Sequence, residues 1–291
     1  MLRGGGRDKL MRRVITIALF VVIFLAGFSV LLYPVISDYL NSLKHIRTVA
    51  EYIQAVESLS EDDYTEILKA AHEYNDRLRS KSNRFIMTEE ELAEYNSLLD
   101  PTGLGVIGTL YIEAIDIYLP IFHGTNESVL QVGLGHLEGS SLPVGGPGTH
   151  AVITGHRGLP SSTLLSNLDR LVYGDTFNVR VLGETLIYRV DQITVVLPNE
   201  TGALSILPDE DHCTLVTCTP YSINTHRMLV RGYRVDGNAG DEFVRPSRIP
   251  AEARIFTGAR AALLLIVPAM LTELTILFIR LRRVYGRGKK R

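Results

Sequence analysis

Residues 14–36, running from Val14 to Ile36, carry no charge, and this run constrains everything around it. A helix of that length crosses a hydrocarbon core of about 30 Å. Arg3, Arg7, Lys9, Arg12 and Arg13 precede it, which places its N-terminal end in the cytoplasm. A secretory signal peptide has a shorter apolar core and a small-residue cleavage site. No such site follows Tyr33, so the run reads as an uncleaved anchor. Residues 261–279 form a second candidate span, interrupted by Pro268 and Glu273. A carboxylate inside a span costs about 2.5–3.5 kcal/mol unless it pairs or protonates. Seven basic side chains from Arg280 to Arg291 follow, so this end is also expected inside. Residues 37–258 are then expected on the outer side of the membrane.

The hydrophobic fraction is 46%, much of it in those two runs, and the middle has the make-up of a soluble domain. A net charge of −2 offers no case for nucleic-acid binding. There are two cysteines, Cys213 and Cys218, in the strand-like run Cys-Thr-Leu-Val-Thr-Cys. An odd offset points their side chains to opposite faces, so both read as free thiols and a disulfide-stapled scaffold is excluded.

Ile46, Val49, Ile53 and Val56 recur at helical spacing, as do Ile67, Ala71, Tyr74 and Leu78. Thr88 and Glu91 make a capping box ahead of Leu92, Tyr95 and Leu99. The polar stretch 79–84, closed by Phe85, reads as a loop. Beyond Asp100-Pro-Thr-Gly103 the pattern changes to short runs split by Gly, Pro and Asn. Strands are expected at 106–112, 115–122, 151–154, 176–182, 185–197, 214–217 and 227–235, which suggests a β-barrel or sandwich.

Cys218 ends a strand and precedes Thr219-Pro220, which must turn. Such a thiol is held rigidly beside solvent, but needs a basic or cationic neighbour to act as a nucleophile. Free cysteine is more often a small buried hydrophobe, and Cys213 is read that way. Candidate bases are His136, His150, His156 and His226, all in loop-like or strand-end positions, and spacing does not choose among them. Arg227 lies across the turn from Cys218 if the two flanking strands form a hairpin. It keeps its proton, so it would serve as an oxyanion donor, or else as one half of a cross-strand ion pair. Arg231 shares its face by alternation.

Several runs together resemble the class C, pilus-assembly branch of the sortases. They are Leu119-Pro-Ile-Phe-His-Gly124, residues 135–146, Thr154-Gly-His-Arg-Gly-Leu-Pro160, Thr214-Leu-Val-Thr-Cys-Thr-Pro-Tyr221 and Asn224-Thr-His-Arg-Met-Leu-Val-Arg-Gly232. The resemblance implies an eight-stranded sortase-type β-barrel over residues 104–236. Flanking it are a basic N-terminus (1–13), the first span (14–36), a helical region with a lid loop (37–103), a linker (237–260), the second span (261–279) and a basic tail (280–291). It implies Cys218 as nucleophile, His156 as general acid–base group and Arg227 as transition-state stabiliser, with Thr214 and Thr217 contacting substrate. Neither metal nor cofactor is implied. The expected substrate is a pilin or surface protein bearing an LPXTG-like signal, and the expected acceptor a pilin lysine or, as in housekeeping sortases, a cell-wall precursor. The expected location is the plasma membrane of a Gram-positive bacterium. The lid of the class carries an Asp-Pro-aromatic motif. Here the corresponding loop reads Asn83-Arg84-Phe85, which keeps the aromatic and lacks the acid. Asp100-Pro101-Thr102 has the acid and lacks the aromatic. Non-enzymatic rival readings are a membrane-tethered binding or sensor domain, which need not keep Cys218, His156 and Arg227 together, and a sorted surface protein, but no LPXTG-like pentapeptide lies within residues 244–260. A papain-like protease would show a local signature that is absent.

Overall fold

A computed structural model describes residues 5–236. The second expected span, the linker and the basic tail lie outside the described residues. Helix α1 runs from Gly5 to Glu57 without a break, passing through Pro34. The apolar run and the first outer helix are therefore one element. Its Met11–Glu57 portion is long and apolar enough to cross a membrane, with a mean hydropathy of 2.9 over its most apolar window. The helix then packs against the domain through His45, Val49 and Tyr52, spaced by four and three residues. Ile46 lies off this face and is exposed.

Helix α2 (Glu61–Arg79) is capped by Ser60, whose hydroxyl accepts the Asp63 amide. It carries three acidic residues in its first turn and Arg77 and Arg79 in its last. Both biases suit the helix dipole. It buries Ala71, Tyr74 and Leu78, the expected stripe. Helix α3 (Glu89–Ser97) opens on the expected Thr88–Glu91 capping box and buries Tyr95.

The remainder is a closed barrel. Its strands are β1 (Val106–Ile112), β2 (Ile117–His123), β3 (Leu134–His136), β4 (Thr149–Thr154), β5 (Thr176–Val181), β6 (Glu184–Val196), β7 (Asp211–Thr219) and β8 (His226–Arg234). Neighbours follow the order β1-β2-β3-β4-β7-β8-β6-β5. The β2–β3 and β4–β7 pairs are parallel, and the rest antiparallel. Strand β3 is not evident from periodicity: three residues, one of them Gly135, are too short to show alternation. Gly135 is required there, because a Cβ would come within 2.3 Å of the Gly124 carbonyl oxygen. Between β5 and β6, Leu182 and Gly183 both take positive φ, a two-residue hairpin turn whose twist matches the strands. Leu182 is held in that conformation by burial and by its amide, which donates to the Tyr52 hydroxyl of α1.

Two faces of the β4–β7–β8 sheet carry different clusters. Cys213, Leu215, Met228 and Val230 join the main core, where Phe177 stacks on Tyr188. Val152, Leu229 and Val216 lie on the other face, in a smaller cluster completed by Leu204 and Phe85.

Candidate active site

Strand β7 places Cys213 and Cys218 as their odd offset requires. Cys213 is fully buried, and burial pushes its thiol pKa well up. Cys218 is partly exposed where the strand ends, on the face opposite the main core. Both thiols are free.

Arg227 is the direct antiparallel partner of Cys218 across β7 and β8. Paired positions share a face, so guanidinium and thiol emerge together. Arg227 Nη1 donates to the carbonyls of Asn224 and His226, at 3.2 Å each. These bonds engage one terminal nitrogen of the fork, and the guanidinium has further N–H groups to offer. Arg231, four residues along β8 on the same face, is the residue with the cross-strand ion pair. Its Nε and Nη2 meet the two carboxylate oxygens of Asp191 at 3.1 and 2.6 Å.

His156 reaches the same spot through register. Along the parallel β4–β7 ladder every pair differs by 62 positions, from Thr149–Asp211 to Thr154–Val216. The offset carries on past the end of β4. The Gly155 carbonyl accepts the Thr217 hydroxyl at 2.8 Å, and Arg157 Nη1 donates to the Thr219 hydroxyl at 3.3 Å. His156 and Cys218, 62 positions apart, are thereby aligned at one rim. Gly155 permits this approach, since a Cβ there would meet Leu134 at 2.6 Å and Leu165 at 3.0 Å. The imidazole is partly exposed, and its Nε2 lies 3.4 Å from a carboxylate oxygen of Glu127, without hydrogen-bond geometry. The Glu127 carboxyl is held below its usual pKa by the Gln131 amide and, after that, by the neighbouring imidazole.

The other histidines take structural places. His136 is fully buried between the Tyr95 hydroxyl and the Ser141 carbonyl, each at 2.8 Å. His150 lies between the Ser205 carbonyl and the Thr214 hydroxyl. Burial lowers the pKa of each to about 4, which keeps them neutral. His226 is paired only with its neighbour Thr225, at the far side of the turn.

Thr214 and Thr217 are both buried, the Thr214 hydroxyl against His150 and the Thr217 hydroxyl against the Gly155 carbonyl. Glu127 was not singled out by the sequence. The available signal was Asn126, whose side chain caps the short helix α4 (Glu127–Leu130).

The polar loop after α2 lies on the face that bears Cys218. Phe85 packs on the cluster of Val152, Leu204, Leu229 and Val216, and Val216 is two residues from Cys218. Arg84 is buried beneath it. Its guanidinium donates to the Gly139 carbonyl at 2.9 Å and to the Leu204 carbonyl, and sits 4.4 Å from the centre of the Phe85 ring.

Residues 110–235 match the model of the sortase domain. A crystal structure of sortase C1 from Streptococcus agalactiae is 48% identical, covers 66% of this chain and all of its own, and superposes with a TM-score of 0.63. The chain belongs to the sortase family. Sortase C of Streptococcus pneumoniae, whose structure is described as bearing on pilin substrate specificity, is 40% identical, with a TM-score of 0.57 over 66% of this chain and 97% of its own. A curated relative, Sortase A of Streptococcus agalactiae serotype III (strain NEM316), is 30% identical over 131 residues, 44% of this chain. The match spans about half of that relative's length, 52%. The closed eight-stranded sortase barrel and the likeness to class C are thus as the sequence led one to expect.

Proposed function

We infer that this sortase is a membrane-anchored transpeptidase that cleaves an LPXTG-like signal between Thr and Gly and joins the Thr to a pilin lysine. The observation that supports it most is the convergence of a sulfur, an imidazole and a guanidinium at one barrel rim, set by the β7–β8 pairing and the β4–β7 offset. Cys218 gives its thiol proton to His156, and its Sγ attacks the Thr carbonyl carbon. Arg227 N–H groups stabilise the oxygen as it becomes anionic. The C–N bond to Gly then breaks, and His156 gives its proton to the departing amine. The thioester retains the energy of the peptide bond. A lysine amine attacks it, passes a proton to His156 and releases Cys218, so the isopeptide bond forms without ATP.

In this reading Phe85 is the aromatic of a lid over the groove, and Arg84 holds the lid where the class uses an acid. The continuous apolar helix α1 is the anchor, with the domain on the outer side of a Gram-positive plasma membrane. The kinship to a sortase C associated with pilin specificity favours a lysine acceptor. The test supplies the detergent-solubilised chain with an LPXTG peptide and two competing acceptors, a pilin lysine peptide and an oligoglycine amine. Mass spectrometry of the products should find mainly a Thr–Lys isopeptide bond. Exclusive use of the glycyl amine would assign the chain to wall anchoring instead.

A further inference from the structure

The active-site end of the barrel is also the end nearest the expected membrane. Helix α1 lies along the barrel flank, and its contacts give the direction. Tyr52 meets Ile107 and Leu182 at the rim where β5 turns into β6. Further back, Asn41 donates to the Ser161 carbonyl at 2.8 Å. A turn earlier still, Asp38 accepts the amide and hydroxyl of Thr163, at 2.6 and 3.1 Å. Ser161 and Thr163 belong to the loop that leaves β4 through His156. The apolar run ends at residue 36, so Asp38 and Asn41 stand only about 3–8 Å beyond it along the helix. The polar zone on each side of a bilayer is about 5–8 Å deep. The loop carrying His156 therefore sits at headgroup height.

Other segments at that rim expose large apolar side chains. β6 ends there with Val195 and Leu197 exposed, and the β7–β8 turn carries Tyr221 and Ile223, 56% and 66% exposed. Tyr221 lies against the His156 loop, with Arg157 5.9 Å from its ring centre and Gly158 close beneath it. A Tyr and an aliphatic side chain presented together suit the boundary between headgroups and acyl chains.

We propose that this rim is a second, peripheral membrane contact, with Tyr221 and Ile223 seated in the outer leaflet that α1 crosses, so that the groove at Cys218 opens at the bilayer surface. The contact rests on the anchoring half of the proposed function, not on its chemistry. It would let the enzyme meet a polypeptide held in the same leaflet by its own span, in the residues just outside that span.

The chain contains no tryptophan, so each introduced tryptophan is a single reporter. The full chain would be reconstituted in phosphatidylcholine–phosphatidylglycerol vesicles with acyl-brominated lipid as quencher. Three variants are compared: Ile223→Trp at the rim, Phe24→Trp in the apolar run, and Leu104→Trp, exposed at the opposite rim near Tyr52. The proposal expects Phe24→Trp to be strongly quenched, Ile223→Trp to be quenched about twofold with a blue-shifted emission, and Leu104→Trp to be unaffected. Ile223→Trp behaving like Leu104→Trp while Phe24→Trp is quenched overturns the proposal and leaves the anchor standing. An unquenched Phe24→Trp overturns both. None of these readouts depends on whether the enzyme makes a thioester.

Discussion

Cys218 and Arg227 face one another as direct cross-strand partners at the turn end of the β7–β8 hairpin. The pairing places the two side chains on one face, and the Asn224 carbonyl of the loop between them also accepts from Arg227 Nη1. In the proposed mechanism Arg227→Ala removes the donor to the developing oxyanion, and the loss of one such donor costs about 10²–10³ in kcat. Arg227→Lys keeps the charge and loses the fork, and is expected to recover little of that activity. Steady-state transpeptidation with a labelled LPXTG peptide checks both, and KM should move far less than kcat.

Thr217 and Thr214 separate positioning from stability. The Thr217 hydroxyl holds the Gly155 carbonyl next to His156. Thr217→Val should lower kcat with KM unchanged and cost about 1 kcal/mol of stability. The Thr214 hydroxyl meets buried His150 at 2.7 Å. Thr214→Val leaves a buried ring nitrogen without that partner and should cost about 1–3 kcal/mol, with activity per folded molecule retained. Urea unfolding together with active-site titration distinguishes the two variants.

The lid is expected to govern access to the thiol. Half-burying a phenylalanine contributes about 1 kcal/mol, so Phe85→Ala should raise the rate of Cys218 labelling by a maleimide roughly fivefold. Arg84→Ala removes charged hydrogen bonds to Gly139 and Leu204, worth about 1.5–3 kcal/mol together with the ring contact, and should raise it further. Equal labelling rates in all three proteins would remove the lid.

His136 and His150 predict an acid-sensitive fold. Burial lowers both from 6.5 to about 4, so above pH 6.5 they are neutral whether the chain is folded or not. As the pH falls below 6.5 the unfolded chain takes up protons that the folded barrel refuses. Stability is then lost down to about pH 4, by about 3 kcal/mol per histidine. The urea midpoint should fall steadily from pH 7 to pH 4.5, and a midpoint that stays flat would contradict this assignment.

Alternation and turn signals made most of the barrel readable, since seven of its strands are long enough to show a period. The eighth, β3, consists of three residues whose placement depends on Gly135 passing close to Gly124, which is a tertiary constraint. The helical stripe of α2 was equally clear, whereas in α3 only Tyr95 is buried, Leu92 is exposed and Leu99 lies beyond the helix end. The join between anchor and outer helix was not clear, because a helix that leaves one solvent for another shows no local break. At the site, alternation placed Cys218 and Arg227 correctly. It left four histidines equivalent, since only the parallel β4–β7 register distinguishes His156 from the buried pair. The sequence shows that Thr214 and Thr217 neighbour the cysteine, but not that their hydroxyls are engaged by His150 and the Gly155 carbonyl, which are distant in the chain.

In the proposed reaction Cys218 forms a thioester with the Thr of the sorting signal. Intact-mass spectrometry of the detergent-solubilised chain, quenched in acid after mixing with an LPXTG peptide, tests it most directly. The account predicts an adduct of the LPXT acyl group on Cys218, released by hydroxylamine, absent in Cys218→Ala and strongly reduced in His156→Ala. A Cys218→Ala protein that still cleaves the peptide, or a wild-type adduct on any other residue, would contradict it.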